Sequence, residues 1–288
     1  MRFSVAILSL CLVLFGGGMK KGPVISFLAL DAEKGWQPVV CFDGVCSFLH
    51  TELEVQSFDF DKSGWRLLYV AADRSVRIVE NGREYTLFEA GNDAYTQPLF
   101  LDTKGAASVV TLMGGSSKDT KIVRFDITDP DKRSTLVHQH ATVLDPWIGD
   151  GKVFFAKVSC ANGCGRIIQE IWLNDNTGLS RQITLENRLA HQPAYSPAEG
   201  ALYYSAKTDT GYSIYRLWLN RGFCRGEEVT YEDGAADAWP NPDGDGGIYF
   251  IRTKGGKGKL MHLGKNGKTV AVDIGEKYHR IRNLKVYP

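Results

Sequence analysis

QPAYSPAEGALYYSAK, residues 192–207, reads as a short extended segment, a turn rich in Pro and Gly, and a strand of aromatic and small residues. Four other stretches repeat that layout: QSFDFDKSGWRLLYVA from Gln56, QPLFLDTKGAASVVTL from Gln97, DPWIGDGKVFFAKV from Asp145 and WPNPDGDGGIYFIRT from Trp239. Successive starts lie 41, 48, 47 and 47 residues apart. A period of roughly 40–50 residues is that of a propeller blade. Each unit continues with a third strand, as in SIYRLWLN from Ser213 or KIVRFDI from Lys121. A shorter fourth strand follows, as in EEVTY from Glu227 or STLVHQ from Ser134. Four strands per unit is the blade of a β-propeller, and no helical periodicity is sustained anywhere after the first apolar run.

Both ends of the chain are incomplete units. PVISFLAL, QPVVCF and VCSFLH supply three strands after Gly22, and RNLKVYP from Arg282 supplies one that aligns with the first strand of the repeat. One plus three makes a sixth blade. The expectation is therefore an all-β, six-bladed β-propeller over residues 22–288, closed by a blade shared between the two termini. Closure of this kind removes the open strand edges that otherwise invite aggregation.

The shared blade contains CFDGVC, residues 41–46. Asp-Gly between apolar residues is a strong hairpin signal, because both residues tolerate the positive φ of a type I′ turn. Cys41 and Cys46 then face each other one pair beyond the turn, at about 4.5 Å between Cα atoms, within disulfide range. CANGC places Cys160 and Cys164 around Asn162-Gly163 and is read as a second hairpin disulfide, and Cys224 is left over. A zinc site made from the two pairs lacks the usual two-residue spacing.

Disulfides require an oxidising compartment. MRFSVAILSLCLVLFGGGMKK, residues 1–21, has Arg2, an apolar run to Phe15 and then small residues, the layout of a secretory signal peptide. The run is short for a membrane span, which needs about 20 apolar residues. Either the segment is cleaved or it stays as an N-terminal anchor, the one route to membrane contact. The protein is expected to be secreted or periplasmic. With 34 Lys+Arg against 33 Asp+Glu, the balance argues against a nucleic-acid partner.

At YSPAEGALYYSAKTDTGYSIYRLWL (Tyr195 to Leu219) and NPDGDGGIYFIRTKGGKGKLMHL (Asn241 to Leu263) the pattern resembles the TolB-like, WD40-like propeller repeats. There, a Ser-Pro-x-Gly or Pro-Asp-Gly turn leads into an aromatic second strand. Full-length TolB carries an α/β domain ahead of its propeller, and this sequence leaves no room for one. The resemblance implies a six-bladed exported propeller of binding type; the expected function is to bind a protein or peptide at the bacterial cell envelope.

Propellers concentrate function at one mouth of the central channel. One position recurs just before the proline or its equivalent: Gln56, Gln97, Asp145, Gln192, Trp239 and Asn283. These either contact a ligand or cap neighbouring backbone. His191, Asp237, His279 and Arg282 fall at the same mouth by register. Trp147 and Trp239 are candidates for a channel platform, whereas Trp172 and Trp218 match each other on third strands and read as core. A polysaccharide lyase or hydrolase, using Asp145, Asp237, His191 and His279, is the alternative function. His138-x-His140 puts two imidazoles on one face of a strand, which marks a solvated edge or a weak metal pair. No nucleophile elbow, phosphate loop, dinucleotide fingerprint or complete calcium loop is present. No catalytic residue, metal or cofactor is therefore assigned.

Overall fold

The structure, a computed structural model, describes residues 22–61, 65–102, 105–116, 118–161, 165–175, 178–222 and 224–288. The N-terminal segment 1–21 and Cys164 lie outside the described residues, and with them the leader and the second proposed disulfide. For that pair the structure gives only the backbone register of Cys160, opposite Ile167.

The chain is an all-β propeller of four-stranded blades. β1 (Val24–Asp31), β2 (Gly35–Phe42) and β3 (Val45–Phe48) form consecutive hairpins. β4 (Val55–Asp61), β5 (Arg66–Ala71), β6 (Val76–Glu80) and β7 (Arg83–Phe88) make the next sheet. β8 (Ala94–Phe100), β9 (Ala106–Leu112), β10 (Thr120–Asp126) and β11 (Arg133–His138) follow, then β12 (Val143–Gly149), β13 (Lys152–Ala161), β14 (Arg166–Asn174) and β15 (Ser180–Gln182). The remaining units are β16 (Ala190–Ser196), β17 (Ala201–Lys207), β18 (Tyr212–Trp218) and β19 (Glu227–Glu228), and β20 (Ala236–Pro242), β21 (Ile248–Lys254), β22 (Lys257–Leu263) and β23 (Thr269–Ala271). These last two units run together as one sheet through a single parallel pair, Tyr212 with Ala236. The cause is local. The Tyr212 amide donates to the Ala235 carbonyl at 3.2 Å. Gly211 comes so near that carbonyl that a Cβ would lie 1.8 Å from its oxygen.

β24 (Ile281–Tyr287) pairs antiparallel with β1, so the order is β24-β1-β2-β3 and the two termini share one sheet, as expected. CFDGVC is the hairpin between the third and fourth strands of that sheet. Asp43 and Gly44 have φ of 48° and 80°, Phe42 pairs with Val45, and Cys41 is disulfide-bonded to Cys46.

Apolar side chains from adjoining units fill the spaces between the sheets. Phe27 and Leu260 meet in one such layer, Leu28 and Tyr69 in another, and Val110 and Phe155 in a third, all of them shut off from solvent. Each large side chain of this kind contributes roughly 1.5–3 kcal/mol by burial. The sheet faces are thus largely committed to packing.

The inner strands carry the most regular feature of the fold. β8, β12, β16, β20 and β24 each bulge at the recurring position, where two residues face one on the second strand. The bulged pairs are Gln97-Pro98, Asp145-Pro146, Gln192-Pro193, Trp239-Pro240 and Asn283-Leu284. In four of them proline withholds the N–H that a continuous ladder would need. The first residue of each pair takes a left-handed φ of 51–54°, a conformation that costs a non-glycine residue on the order of 1–3 kcal/mol. In β4 the register shifts at Gln56 without this φ.

The amide of each left-handed residue in β8, β12, β16 and β20 points to the preceding inner strand. Gln97 N–H donates to Ser57 Oγ at 2.8 Å. Asp145 N–H donates to Gln97 Oε1 at 2.8 Å, while Gln97 Nε2 donates back to Asp145 Oδ1. Gln192 N–H donates to Asp145 Oδ2 at 3.2 Å, and Trp239 N–H to Gln192 Oε1 at 2.8 Å. The Trp239 side chain offers no acceptor, so Asn241 takes over, its Nδ2 donating to the Trp239 and Leu284 carbonyls at 3.1 and 3.0 Å. Asn283 Nδ2 closes the belt onto the Gln56 carbonyl at 3.1 Å. A second tie lies further along: Tyr287 Oη donates to Asp59 Oδ1 at 2.8 Å and accepts from the Phe60 amide at 2.9 Å.

Three stability measurements follow from these ties. Gln97→Leu strands the partly buried Asp145 amide and should cost about 1 kcal/mol in urea unfolding. Tyr287→Phe should cost a similar amount by exposing the Phe60 amide and Asp59 to the same loss. Joint Cys41→Ser and Cys46→Ser replacement closes no long loop, so it should lower stability by about 2 kcal/mol or less.

Candidate functional site at the channel mouth

Strand direction divides the channel. All inner strands begin on one face of the ring, here the entry face, and end on the other. Beyond the belt, towards the ends of the inner strands, lies a central cavity of about 250 Å³. Its walls come from β4, β8, β12, β16, β20 and β24 and include Asp59, Phe100, Trp147, Trp239, Lys285 and Tyr287. Its charges are internally matched. Asp59 receives the Phe100 amide at 2.9 Å as well as the Tyr287 hydroxyl, and Lys285 Nζ stands 3.9 Å from Asp59 Oδ1.

The entry face holds a second cavity, of about 400 Å³, bordered by Trp36, Glu54, Gln56, Ala72, Thr96 and Arg282. Arg282 is its centrepiece. The guanidinium lies 4.2 Å from the Trp36 ring centroid, a cation–π stack. Its terminal nitrogen reaches the Val55 and Gln56 carbonyls only at 3.4 and 3.5 Å. Its Nε is buried with no hydrogen-bond partner. Burial pushes the Arg282 pKa down, and the Glu54 carboxylate opposes that shift. Glu54 can stand there because Gly35 has no side chain: a Cβ on Gly35 would meet the Glu54 carboxyl carbon at 2.8 Å. The result is a desolvated, under-satisfied cation on a flat aromatic support.

The residues expected at the mouth separate into groups. Gln97, Asp145 and Gln192 have their side chains engaged in the belt, and Gln56 Nε2 donates to the Ala72 carbonyl at 3.2 Å. Asn283 is likewise bound to neighbouring backbone. Trp147 packs against Phe154 and Tyr195 at 5.8 and 5.5 Å between ring centroids, while its edge borders the central cavity. Trp239 also joins a packed layer and lines that cavity. His191 Nδ1 is 3.8 Å from Asp145 Oδ2, and burial pushes its pKa down against the pull of that carboxylate.

Asp237 is 1% exposed and grips Arg252 with both oxygens, at 2.7 Å each, inside the sheet. His279 is exposed on the loop before β24, its carbonyl accepting from the Gly258 amide at 2.8 Å. His191, Asp237 and His279 form no ligand set within reach of one metal ion. Trp172 and Trp218 pack between sheets, as their matched positions imply. Cys224 is a free, exposed thiol.

Sequence reasoning missed Trp36, Glu54, Asp59, Lys285 and Tyr287. For Lys285 and Tyr287 a signal existed, since alignment of the last strand with the inner-strand repeat places both beyond Asn283. Trp36 and Glu54 sit on β2 and on the loop before β4, outside the repeated first-strand positions, and only the closed ring carries them to the mouth.

No family model and no curated relative matches the chain. Solved structures do. TolB from Acinetobacter baumannii is 13% identical, with a TM-score of 0.70 over 92% of this chain and 67% of that one. Kuenenia stuttgartiensis hydrazine synthase is 10% identical, with a TM-score of 0.75 over 93% of this chain and 47% of that one. A puromycin-hydrolyzing peptidase from Mycobacterium tuberculosis is 14% identical, with a TM-score of 0.59 over 89% of this chain and 47% of that one. The chain thus spans about half the length of the last two. At these identities the likeness speaks for fold: this chain has the β-propeller fold that TolB and peptidase propellers share.

Proposed function

We propose that the protein is an exported, six-bladed β-propeller that binds a protein or peptide at the entry face of its channel, at the bacterial cell envelope. The blade count takes the eight-stranded sheet as two blades joined at Tyr212 and Ala236. Six inner strands around one cavity support that count. Export is supported by the leader-like start and by the Cys41–Cys46 bridge.

One observation carries the binding reading. Arg282, stacked on Trp36 and poor in acceptors, borders an open cavity of about 400 Å³. A half-buried cation short of acceptors gains from a ligand oxygen. The aromatic support and the Thr96 and Gln56 walls suit an extended peptide that carries a carboxylate.

The hydrolase or lyase reading asks for two free carboxylates facing one substrate. Asp145 is occupied by Gln97 and Gln192, and Asp237 by Arg252. The binding reading is therefore preferred.

Peptides selected from a displayed library on the immobilised chain test this directly. Calorimetry should show that Arg282→Met and Trp36→Ala weaken the selected peptides tenfold or more, about 1.5–3 kcal/mol for a charge-assisted hydrogen bond. Selected peptides that bind both variants as tightly as the wild type would place the site elsewhere.

A further inference from the structure

Far from the channel axis, at the outer edge of the β8–β11 sheet, three side chains converge. His138 ends β11, the outermost strand, and His140 follows two residues later. Asp119 immediately precedes β10. The chain would ordinarily carry residues 138 and 140 apart as it crosses to β12. Two features prevent this. His140 takes a left-handed φ of 49°, which turns the chain back. Thr120 then ties the crossover down, its amide donating to the Ala141 carbonyl at 3.1 Å and its hydroxyl to the Val143 carbonyl at 2.7 Å. Asp119 is held next to Thr120 by its own carbonyl, which accepts the Met113 amide at 3.1 Å. The two imidazole centroids end 4.1 Å apart.

We propose that Asp119, His138 and His140 bind a divalent transition-metal ion, with zinc the best match. The donor set is two imidazoles and a carboxylate, the nitrogen–oxygen chemistry that zinc accepts. One ligand atom from each residue lies within 4.8 Å of the others. His138 Nε2 and Asp119 Oδ1 are 3.3 Å apart, which matches the edge of a tetrahedron whose bonds are about 2.0–2.1 Å long. His140 is exposed, so its ring is free to swing inward and shorten the remaining separation. Among the described residues this is the group of histidine and acidic side chains placed for such an ion.

Three protein ligands leave a fourth position for water or for a side chain of another molecule. The arrangement has a second consequence. β11 ends on the entry face, because fourth strands run back to where the next inner strand begins. The ion would stand on the same face as Arg282, on the rim of the ring.

A plain His138–Asp119 pair without an ion makes a different forecast, because it leaves His140 without a role. The test uses the tag-free full chain as expressed, stripped with a chelator and titrated with zinc chloride by calorimetry. One equivalent should bind with micromolar or tighter affinity. Cobalt(II) in its place should give the visible bands of a four-coordinate ion. His140→Ala removes only an exposed side chain, so the fold is retained, and it should weaken zinc at least tenfold and abolish those bands. Asp119→Asn should weaken zinc as well, whereas His191→Ala, at the channel, should not. Absence of saturable zinc uptake by the wild type up to about 100 µM, or wild-type affinity in His140→Ala, would overturn the assignment.

Discussion

Everything in this molecule depends on how the innermost strands treat their unpaired amides. A proline at the centre of the inner strands β8, β12, β16 and β20 breaks the ladder where the strand bulges, and β24 bulges at the same place with leucine. The first residue of each bulge takes a left-handed conformation, and in these four strands its N–H turns away from its own sheet. Left alone, such a group costs about 1–3 kcal/mol. Here the neighbouring unit answers it, through Ser57, Gln97, Asp145 and Gln192 in turn. The belt converts a local defect, repeated at a fixed spacing, into the bond between one sheet and the next.

That role has a functional consequence. A polar residue that recurs at the rim of a channel invites a reading as ligand-binding, but here most of these side chains are already committed. The same holds for the carboxylates: Asp145 serves the belt, Asp237 neutralises Arg252, and Asp59 receives Tyr287 and Phe100. Arg282 differs from these carboxylates: its guanidinium is half-buried on Trp36, and its Nε has no hydrogen-bond partner. That unmet hydrogen-bonding capacity is what the proposed peptide site rests on. The fold alone would not have located it, since TolB, hydrazine synthase and a peptidase all contain this architecture.

Much of this was legible from the residues. The period in the forties, the Pro-Gly turns and the alternating second strands specified four-stranded blades, because each unit needs a neighbour to cover its apolar faces. The match of RNLKVYP to the inner-strand pattern predicted that β24 would pair with β1, and Asp43-Gly44 predicted the turn that brings Cys41 to Cys46. The joining of two units at Tyr212 and Ala236 was not legible. It depends on how closely the Gly211 backbone approaches Ala235, a distance that no pattern of side-chain types records.

Repetition along the chain was therefore enough for the architecture, its ring closure and the list of residues near the channel, since these follow from periodicity and turn chemistry. Which of those residues are spent on holding the ring, and which keep unmet hydrogen-bonding capacity, emerged only from the folded arrangement. Gln97 and Arg282 look equally available in one dimension. In three, Gln97 meets Asp145 from 48 positions away, and Arg282 meets Trp36 from the opposite end of the chain. Hydrogen-bond satisfaction and burial are properties of such distant encounters, so they are decided by packing and not by local sequence.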